Sequence, residues 1–362
     1  MTSIAAVILS FLTSTTSVSK VDEIALAQMR VQKIPGMTVA LLRDGKPVLM
    51  KGYGKSNIEL NVAASPDTMY QSGSIGKQFT ATLALMLAHE HVFSIDDPIT
   101  KWFPEGVGNW AGVTIRHLMS HTSGLPDIPY DKCDMRQDYS ETDLVNLMVA
   151  NPPVGQPGTH WQYNNGGYVL LGILIHRATG RFYGDLLQEK IFKPLGMSTA
   201  RIISERDIVP NRASGYEISD KGLRNQAWVS PSLNTTADGA LYLSVRDFAM
   251  WDAALYSDKL LPRTELEQAW TPCKLASGSC AGAPKFGYGF GWVMPSNAGS
   301  HQLVEHGGAW QGFTTYIGRL LDQHLTVVVL TNLDSDHSKP TRIGRQMLNV
   351  FAHNIPIDDG YY

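Results

Sequence analysis

Hydrophobic residues are spaced differently at the two ends of the chain and in its middle. Near the start, apolar segments at 37–43 and 47–54 flank Asp44-Gly45-Lys46, a turn pattern typical of a β-hairpin. Further strands are predicted near the other end, at 288–294, 301–306, 312–318 and 325–331. Strands are therefore expected at both ends of the chain.

The middle of the chain is predicted to be mostly helical. The residues after Ser74 are apolar on all sides, which is typical of a buried helix. Helices are predicted near 21–33, 75–90, 114–120, 141–150, 167–179, 183–190, 245–256 and 339–353. This order predicts an α+β fold: one antiparallel sheet built from both termini, flanked by helices, with an inserted mostly helical region. The predicted units are a sheet domain from 21–70 and 281–362 and a helical domain from 71–280.

The composition is that of a soluble enzyme. With 362 residues the chain can bury a large core, and a net charge of −3 with 17% charged residues provides no basic surface for nucleic acid. After the first residues, no apolar run is long enough to span a bilayer. His89-Glu90-His91 lacks metalloprotease spacing, so we expect no metal and no cofactor. The expected partner is a small-molecule substrate, and the oligomeric state is left open.

The first residues allow two interpretations. The apolar stretch from Ile4 to Leu12 has the length of a signal-peptide core, but no Lys or Arg precedes it. We therefore predict a possible signal peptide at 1–20, with export to the periplasm or the cell exterior. A cytoplasmic location is the alternative.

The cysteines bear on the same question. Cys273 and Cys280 bracket a Gly- and Ser-containing loop that a disulfide could close, which would leave Cys133 unpaired. A disulfide agrees with export, whereas reduced thiols agree with a cytoplasmic enzyme. Both alternatives stay open.

Three short motifs follow one another in an order that indicates nucleophilic catalysis. They are Ser74-Ile75-Gly76-Lys77, Tyr163-Asn164-Asn165 and His306-Gly307-Gly308. Together they supply a nucleophile, two groups able to move its proton, and a small-residue strand edge for an acyl substrate. Ser17-Val18-Ser19-Lys20 also matches the first pattern, but it lies in the segment predicted to be processed.

Ser74 and Lys77 are three residues apart, so on a helix they share a face. Ser72-Gly73 is a plausible helix start, which puts Ser74 in the first turn, where backbone N–H groups point toward developing negative charge. A lysine can take the serine proton only if burial or nearby positive charge keeps it partly neutral. The alternative is a capping serine followed by an exposed lysine.

Tyr163 and Asn165 are two residues apart in a Gly- and Asn-rich stretch. In an extended conformation their side chains point the same way and Asn164 points away. Tyrosine titrates near 10, so Tyr163 could act as a base near neutral pH only if a close cation such as Lys77 favoured the phenolate. The alternative is that both residues serve a turn and its packing.

The segment from Ser74 to Ala81 resembles the nucleophile helix of class C β-lactamases and their relatives. Further resemblances follow in the family's order, at 114–126, 157–168, 194–197, 237–241 and 327–332. The resemblance covers about residues 22–353. It is to the superfamily of serine β-lactamases and penicillin-binding proteins, which includes D-peptidases and family VIII-type esterases, and it implies the β-lactamase/DD-peptidase-like fold.

The resemblance also implies a role for each motif residue. Ser74 is acylated, Lys77 accepts or relays its proton, and Tyr163 protonates the leaving group and later activates water. Asn165 binds the substrate amide or holds Lys77. The backbone N–H groups of Ser74 and Ala309 form the oxyanion hole.

The third motif departs from the β-lactamase pattern, which has Lys where His306 stands; His-x-Gly is similar to the D-peptidase branch. His306 is predicted to end its strand, and Gly307-Gly308 to let a substrate backbone approach the edge. Because histidine is only partly protonated at pH 7, it holds a substrate carboxylate less firmly than lysine, which argues against efficient β-lactam turnover. The alternative is a strand-end histidine followed by a turn.

The leading hypothesis is a serine hydrolase that forms an acyl-enzyme on Ser74 and hydrolyses a short-chain ester or a D-amino-acid peptide, with weak β-lactam hydrolysis as a further option. The alternative is a penicillin-recognising protein that is acylated without turnover, or a non-catalytic binding or scaffold homologue. The loops at 125–140 and 205–235 could shape the pocket. Six aromatic residues could do the same: Tyr130, Trp161, Trp228, Tyr288, Trp292 and Trp310.

Overall fold

The computed structural model of the protein describes residues 2–130, 133–204, 206–334 and 336–360, with side chains from residue 17 onward. The described helices are α1 (Thr2–Gln32), α2 (Lys77–His89), α3 (Ile115–Met119), α4 (Glu141–Val149), α5 (Asn165–Thr179), α6 (Tyr183–Leu187), α7 (Lys193–Leu195), α8 (Val245–Ala254), α9 (Arg263–Leu266) and α10 (Pro340–Leu348). A π-helical turn, Gln188–Phe192, joins α6 to α7. Short 3-10 turns lie at Gly73–Gly76, Ile99–Lys101, Pro104–Gly106, Leu233–Thr235 and Glu267–Trp270.

The described strands are β1 (Gly36–Arg43), β2 (Lys46–Asn57), β3 (Val62–Ala63), β4 (Tyr70–Gln71), β5 (Arg201–Ile202), β6 (Tyr216–Ser219), β7 (Gly222–Asn225), β8 (Leu241–Leu243), β9 (Gly282–Ala283), β10 (Phe286–Tyr288), β11 (Val293–Pro295), β12 (Leu303–Trp310), β13 (Phe313–Leu320) and β14 (Leu325–Thr331). Nine of them form one sheet in the order β3-β2-β1-β14-β13-β12-β11-β10-β9. Smaller sheets, β4-β8-β5 and β6-β7, lie within the middle of the chain.

The large sheet joins the two ends of the chain. β1 pairs antiparallel with β14, from Met37 opposite Thr331 to Arg43 opposite Leu325. Both strands are buried along nearly their whole length because helices cover both faces of the sheet, which explains their continuous runs of Val, Leu and Ala. The predicted α+β class, with a sheet built from both termini, is confirmed. The division into two domains stays a prediction.

Several predicted boundaries are corrected by the structure. The helix expected at 21–33 runs from Thr2 to Gln32, and the possible signal peptide at 1–20 falls largely within it; its processing stays a prediction. The strand expected at 288–294 is two strands, β10 and β11, because Gly291 adopts a left-handed backbone (φ 75°) and packs closely against Lys77 and Gln78.

The helix α2 lies in the main core and carries the residues that follow Ser74. Its residues from Lys77 to Leu85 are all buried, which explains why the segment is apolar on every side. Phe79 packs on Trp251 of α8, with ring centroids 4.2 Å apart. The serine turn is thereby attached to a rigid, buried element.

Among the described residues, no helix combines the length and the apolar character that crossing a lipid bilayer requires.

Of the two alternatives left open for Cys273 and Cys280, the structure has the reduced one, with all three cysteines free. The backbone register explains why. Lys274 pairs with Cys280 across an antiparallel bridge, while the Ala281 N–H bonds the Cys273 carbonyl oxygen. Neighbouring residues of an extended strand point to opposite faces, so the two thiols face apart. The cysteines therefore give no support to the prediction of export.

One buried ion pair ties α8 to the sheet. Arg319 of β13 donates from Nε to Asp252 Oδ1 at 2.8 Å, and both side chains are at most 1% exposed. Thr326 of β14 donates to the same carboxylate oxygen at 2.7 Å. Removing the carboxylate would leave a buried guanidinium without its counter-charge.

We therefore expect Asp252→Ala to lower the free energy of unfolding by about 3–5 kcal/mol. Urea unfolding followed by circular dichroism measures it. The control is Glu267→Ala, which removes the exposed pair with Arg263 and should cost about 1 kcal/mol or less. Equal losses in the two variants would contradict a structural role for the buried pair.

Candidate active site

Ser74 lies in the tight turn Gly73–Gly76 that leads into α2. Gly73 has a left-handed backbone (φ 52°), and a Cβ at this position would collide with the backbone nitrogen of Ala309. The serine turn therefore rests directly on β12. Thr315 Oγ1 of the neighbouring strand β13 donates to the Ser72 carbonyl oxygen and fixes the same turn to the sheet.

Lys77 follows one helical turn after Ser74 and is fully buried. Its Nζ lies 2.9 Å from Ser74 Oγ, 2.8 Å from Asn165 Oδ1 and 2.7 Å from the backbone oxygen of Asp238. Burial lowers the pKa of Lys77 to about 8, against an opposing effect of the carboxylates of Asp238 and Asp127. The amine is therefore partly neutral near physiological pH.

The three contacts of Lys77 fix the direction of its lone pair. The Asn165 and Asp238 oxygens can only accept hydrogen bonds, so a neutral amine uses both of its N–H groups on them. The remaining position, which holds the lone pair, points to Ser74 Oγ. Deprotonated Lys77 can therefore accept the serine proton without moving.

Asn165 is brought to Lys77 by the start of α5. Asn164 has an extended backbone and caps the helix, since its side chain accepts from the Gly167 N–H. Asp127 accepts from the backbone N–H groups of Asn165 and Gly166 at 3.2 and 2.6 Å. Asn165 begins α5 rather than continuing an extended stretch, and it points toward the lysine, whereas the buried Asn164 side chain donates to the Leu125 carbonyl oxygen.

Tyr163 lies over the same amine, with Lys77 Nζ 5.1 Å from its ring centroid. Burial raises the pKa of Tyr163, although a hydrogen bond with Ser74 opposes this. The condition set out from the sequence, a phenolate favoured near neutral pH, is not met, because burial raises the pKa. The Tyr163 hydroxyl therefore keeps its proton and is available as a donor.

His306 does not end its strand, contrary to the sequence prediction. β12 continues through Gly307, Gly308 and Ala309 to Trp310, each paired with β13. The glycine at 308 is required by packing, since a Cβ would collide with the Ser72 carbonyl oxygen and Thr315 Oγ1. The described strand β11 pairs with β12 only at Glu305, so the stretch after His306 faces the serine turn.

His306 is buried and held by two contacts. Tyr288 Oη lies 3.0 Å from Nε2, and Nδ1 bonds the Gly307 carbonyl oxygen. Burial lowers the pKa of His306 to about 3, with Lys77 acting in the same direction. His306 is therefore an uncharged ring at neutral pH, rather than the partly protonated one expected from the sequence.

These residues open onto a cavity of about 470 Å³. Its described lining includes Ser74, Tyr163, Asn165, His306, Gly307, Gly308 and Ala309. None of the six aromatic residues predicted to shape the pocket belongs to this lining, nor does any described residue of 125–140 or 205–235. Within the described chain, no group of three His, Cys, Asp or Glu side chains is arranged to hold a metal ion.

The second wall of the cavity was not predicted from the sequence. It comes from residues late in the chain: Thr314, Thr315, Tyr316, Asp336, Ser338, Lys339, Pro340, Thr341, Asp359 and Gly360. Glu305 binds Arg345 of α10, which also binds Asp358 and so holds the chain end beside the cavity. No short motif marks these residues, because they meet only through the packing of α10 on the sheet.

A sequence model of the family described as Beta-lactamase matches residues 21–350. This match covers most of the chain, so the chain belongs to the Beta-lactamase family. The expected family resemblance is thereby confirmed.

Known relatives and solved structures agree with this assignment. Penicillin-binding protein 4* of Bacillus subtilis (strain 168) is 28% identical over 318 residues, covering 83% of this chain and 68% of the relative. An octameric penicillin-binding protein homologue from Pyrococcus abyssi superposes with a TM-score of 0.82 at 29% identity, covering 94% of this chain and 78% of that one. A D-stereospecific amidohydrolase from Streptomyces sp. superposes with a TM-score of 0.72 at 25% identity, covering 90% and 97%. The chain spans 64–68% of the length of curated relatives that it matches.

The pKa of Lys77 predicts how Ser74 reactivity depends on pH. Below the pKa of about 8, lysine is mostly an ammonium ion with no lone pair for the serine proton. Modification of Ser74 by a fluorophosphonate reagent should therefore rise about tenfold per pH unit below 8 and level off above it. The rate is measured by intact-mass analysis between pH 6 and 9.5.

The matched variant is Lys77→Arg, whose guanidinium stays protonated throughout this range and should abolish the rise. Neither histidine of the site titrates in this window, because burial lowers the pKa of both His121 and His306. A rate that is constant from pH 6 to 9.5 in the unsubstituted protein would contradict the assignment of Lys77 as the base.

Proposed function

We propose that the protein is a serine hydrolase that forms an acyl-enzyme on Ser74 and hydrolyses a small ester or amide. The observation that carries the proposal is the contact between Ser74 Oγ and a fully buried Lys77 amine at 2.9 Å. A serine needs an adjacent base to react at neutral pH, and a lysine whose pKa is lowered to about 8 meets that need.

In the proposed acylation, the Ser74 proton moves to the lone pair of Lys77 as Oγ attacks the substrate carbonyl carbon. Negative charge then develops on the carbonyl oxygen, and the backbone N–H groups of Ser74 and Ala309 would bind it. The close packing of Gly73 and Gly308 at the contact between the serine turn and β12 supports this oxyanion hole.

The leaving group must gain a proton as its bond to the carbonyl carbon breaks. Tyr163 would donate its hydroxyl proton, since it interacts with Ser74 and burial keeps it protonated. The resulting phenolate recovers a proton from protonated Lys77. Water would then attack the carbonyl carbon of the acyl ester while Lys77 or Tyr163 accepts a proton from it. The bond to Ser74 Oγ breaks, and Ser74 regains a proton from the same group.

The remaining motif residues would bind substrate. His306 and Gly308 lie along the lining of the cavity beside the serine turn, where an acyl group can approach β12. Asn165 holds Lys77 through Oδ1, which leaves its amide nitrogen as the atom able to meet a substrate carbonyl oxygen.

The proposed substrate is a short-chain ester or a D-amino-acid amide or peptide, and weak β-lactam hydrolysis is a further possibility. The likeness to a D-stereospecific amidohydrolase supports the amide class. An ester acylates Ser74 by the same step as an amide but has a better leaving group. It is therefore the simplest substrate on which to test Ser74.

A second candidate is a penicillin-recognising protein that is acylated without turnover. It is favoured by the likeness to penicillin-binding protein 4* and to the Pyrococcus abyssi homologue. The two proposals differ in the lifetime of the acyl-enzyme. Location is a separate matter: export stays a prediction that rests on the apolar stretch from Ile4 to Leu12.

We expect Ser74→Ala to abolish hydrolysis of a short-chain p-nitrophenyl ester while the fold is kept. The measurement is steady-state release of p-nitrophenol, with identical circular dichroism spectra as the folding check. Ser17→Ala is the matched control, because it changes the other Ser-x-x-Lys sequence and should leave turnover unchanged.

Turnover that persists in Ser74→Ala would overturn the site assignment. A stable mass increase on Ser74, without product beyond one equivalent for esters, D-amino-acid amides and penicillin alike, would favour the second candidate. These outcomes separate a wrong nucleophile from a correct nucleophile that does not turn over.

A further inference from the structure

Three buried rings form a hydrogen-bonded row behind the site. His121 Nε2 lies 3.1 Å from Tyr288 Oη, and Tyr288 Oη lies 3.0 Å from His306 Nε2. All three side chains are at most 1% exposed. His121 also stacks against Tyr163, with ring centroids 4.3 Å apart, so the row touches the proposed proton donor as well.

The direction of this row is set at its first member. The backbone N–H of Asn164 donates to His121 Nδ1 at 3.1 Å, so Nδ1 must carry a lone pair and no proton. A neutral imidazole then has its proton on Nε2, which donates to Tyr288 Oη. A protonated His121 would direct an N–H against the Asn164 N–H, which the geometry disfavours.

The last member of the row is set in the same way. The Gly307 carbonyl oxygen can only accept, so His306 Nδ1 carries the proton. His306 Nε2 is then an acceptor and receives the Tyr288 hydroxyl proton. Each donor in the row meets an acceptor, and the two histidines are held as opposite neutral tautomers.

This arrangement has a consequence for the substrate. His306 lines the cavity beside the serine turn, but both of its ring nitrogens are engaged inside the protein. In the described cavity lining, the carboxylates of Glu305 and Asp359 are paired with Arg345 and Arg342, and the other charged side chains are one carboxylate, Asp336, and one ammonium group, Lys339. This lining therefore has no net positive charge to attract a substrate carboxylate. A substrate with a negative charge near the scissile bond gains little from such a lining and loses hydration.

We infer that Tyr288 and His121 are positioning residues that hold His306 as an uncharged ring, and that the site therefore selects substrates whose leaving group carries no carboxylate. The selection of substrate rests on the proposed hydrolase function. The tautomers do not rest on it, so they are tested separately.

The first test reads the tautomers by NMR of protein labelled with ¹⁵N-histidine at pH 7. The expected result is His121 protonated on Nε2 alone and His306 protonated on Nδ1 alone, the latter being the rarer form of free histidine. His121→Gln and His306→Gln variants assign the signals. An imidazolium at either position, or His306 protonated on Nε2, would overturn the inference whether or not the protein hydrolyses anything.

Tyr288→Phe tests the link between the two histidines. It removes the donor to His306 Nε2 but keeps the ring, so we expect the ¹⁵N signal of Nε2 to shift as its hydrogen bond is lost, while the Gly307 carbonyl oxygen still holds the proton on Nδ1. Tyr53→Phe is the matched control, because Tyr53 is also buried but donates to Asp22 on α1. A His306 signal that is unchanged in Tyr288→Phe would contradict the positioning role.

The second test compares two acetyl esters that differ in one charge: the acetyl ester of 3-hydroxybenzoate and that of methyl 3-hydroxybenzoate. We expect kcat/KM of the unsubstituted protein to be at least about tenfold higher for the uncharged methyl compound. His306→Lys supplies a cation and should reduce or reverse this ratio. Equal values for the two esters, or a preference for the carboxylate, would overturn the selectivity.

Failure of the proposed function gives a different result. In that case neither ester is hydrolysed and Ser74 is not modified, while the tautomer spectrum is unaffected. Failure of the inference alone gives ester hydrolysis dependent on Ser74 together with the wrong tautomers or the wrong charge preference.

Discussion

Burial of the Lys77 amine is the constraint on which the rest of the site depends. An ammonium group in this position would need three acceptors, and the protein supplies two oxygens and the hydroxyl of Ser74. Because burial removes water from the amine, its charged form is disfavoured and the pKa of Lys77 is lowered. The fixed acceptors direct the lone pair of the neutral amine. The role of Asn165 and of the Asp238 backbone is therefore to place one hydrogen-bond acceptor each beside the Lys77 nitrogen.

Burial disfavours the charged form of the two histidines of the site as well. Lys77 lowers the pKa of both His121 and His306, and burial does so more strongly. Keeping these rings neutral avoids like charges near the amine, which would lower the pKa of Lys77 further. Of Lys77, His121 and His306, only Lys77 therefore has a pKa close to neutral pH.

The fold class and the motif residues could be predicted from the sequence, because the strands, the buried helix and the three motifs each leave a local pattern. Local patterns failed where tertiary packing decides the outcome. β12 continues past His306 because β13 pairs with it, and Cys273 faces away from Cys280 because of the bridge register. His121 and Tyr288 stand far apart in sequence, so only the folded chain reveals that their side chains meet.

The pairing of β1 with β14 has a consequence for synthesis of the protein. The ribosome releases Met37 long before its partner Thr331, so the sheet cannot close until β14 has emerged. Ser74 leaves early too, but the strand that supports its turn, β12, follows more than two hundred residues later. The nascent chain therefore carries its nucleophile without the surroundings that make it reactive, and reactivity appears only after β12 has emerged.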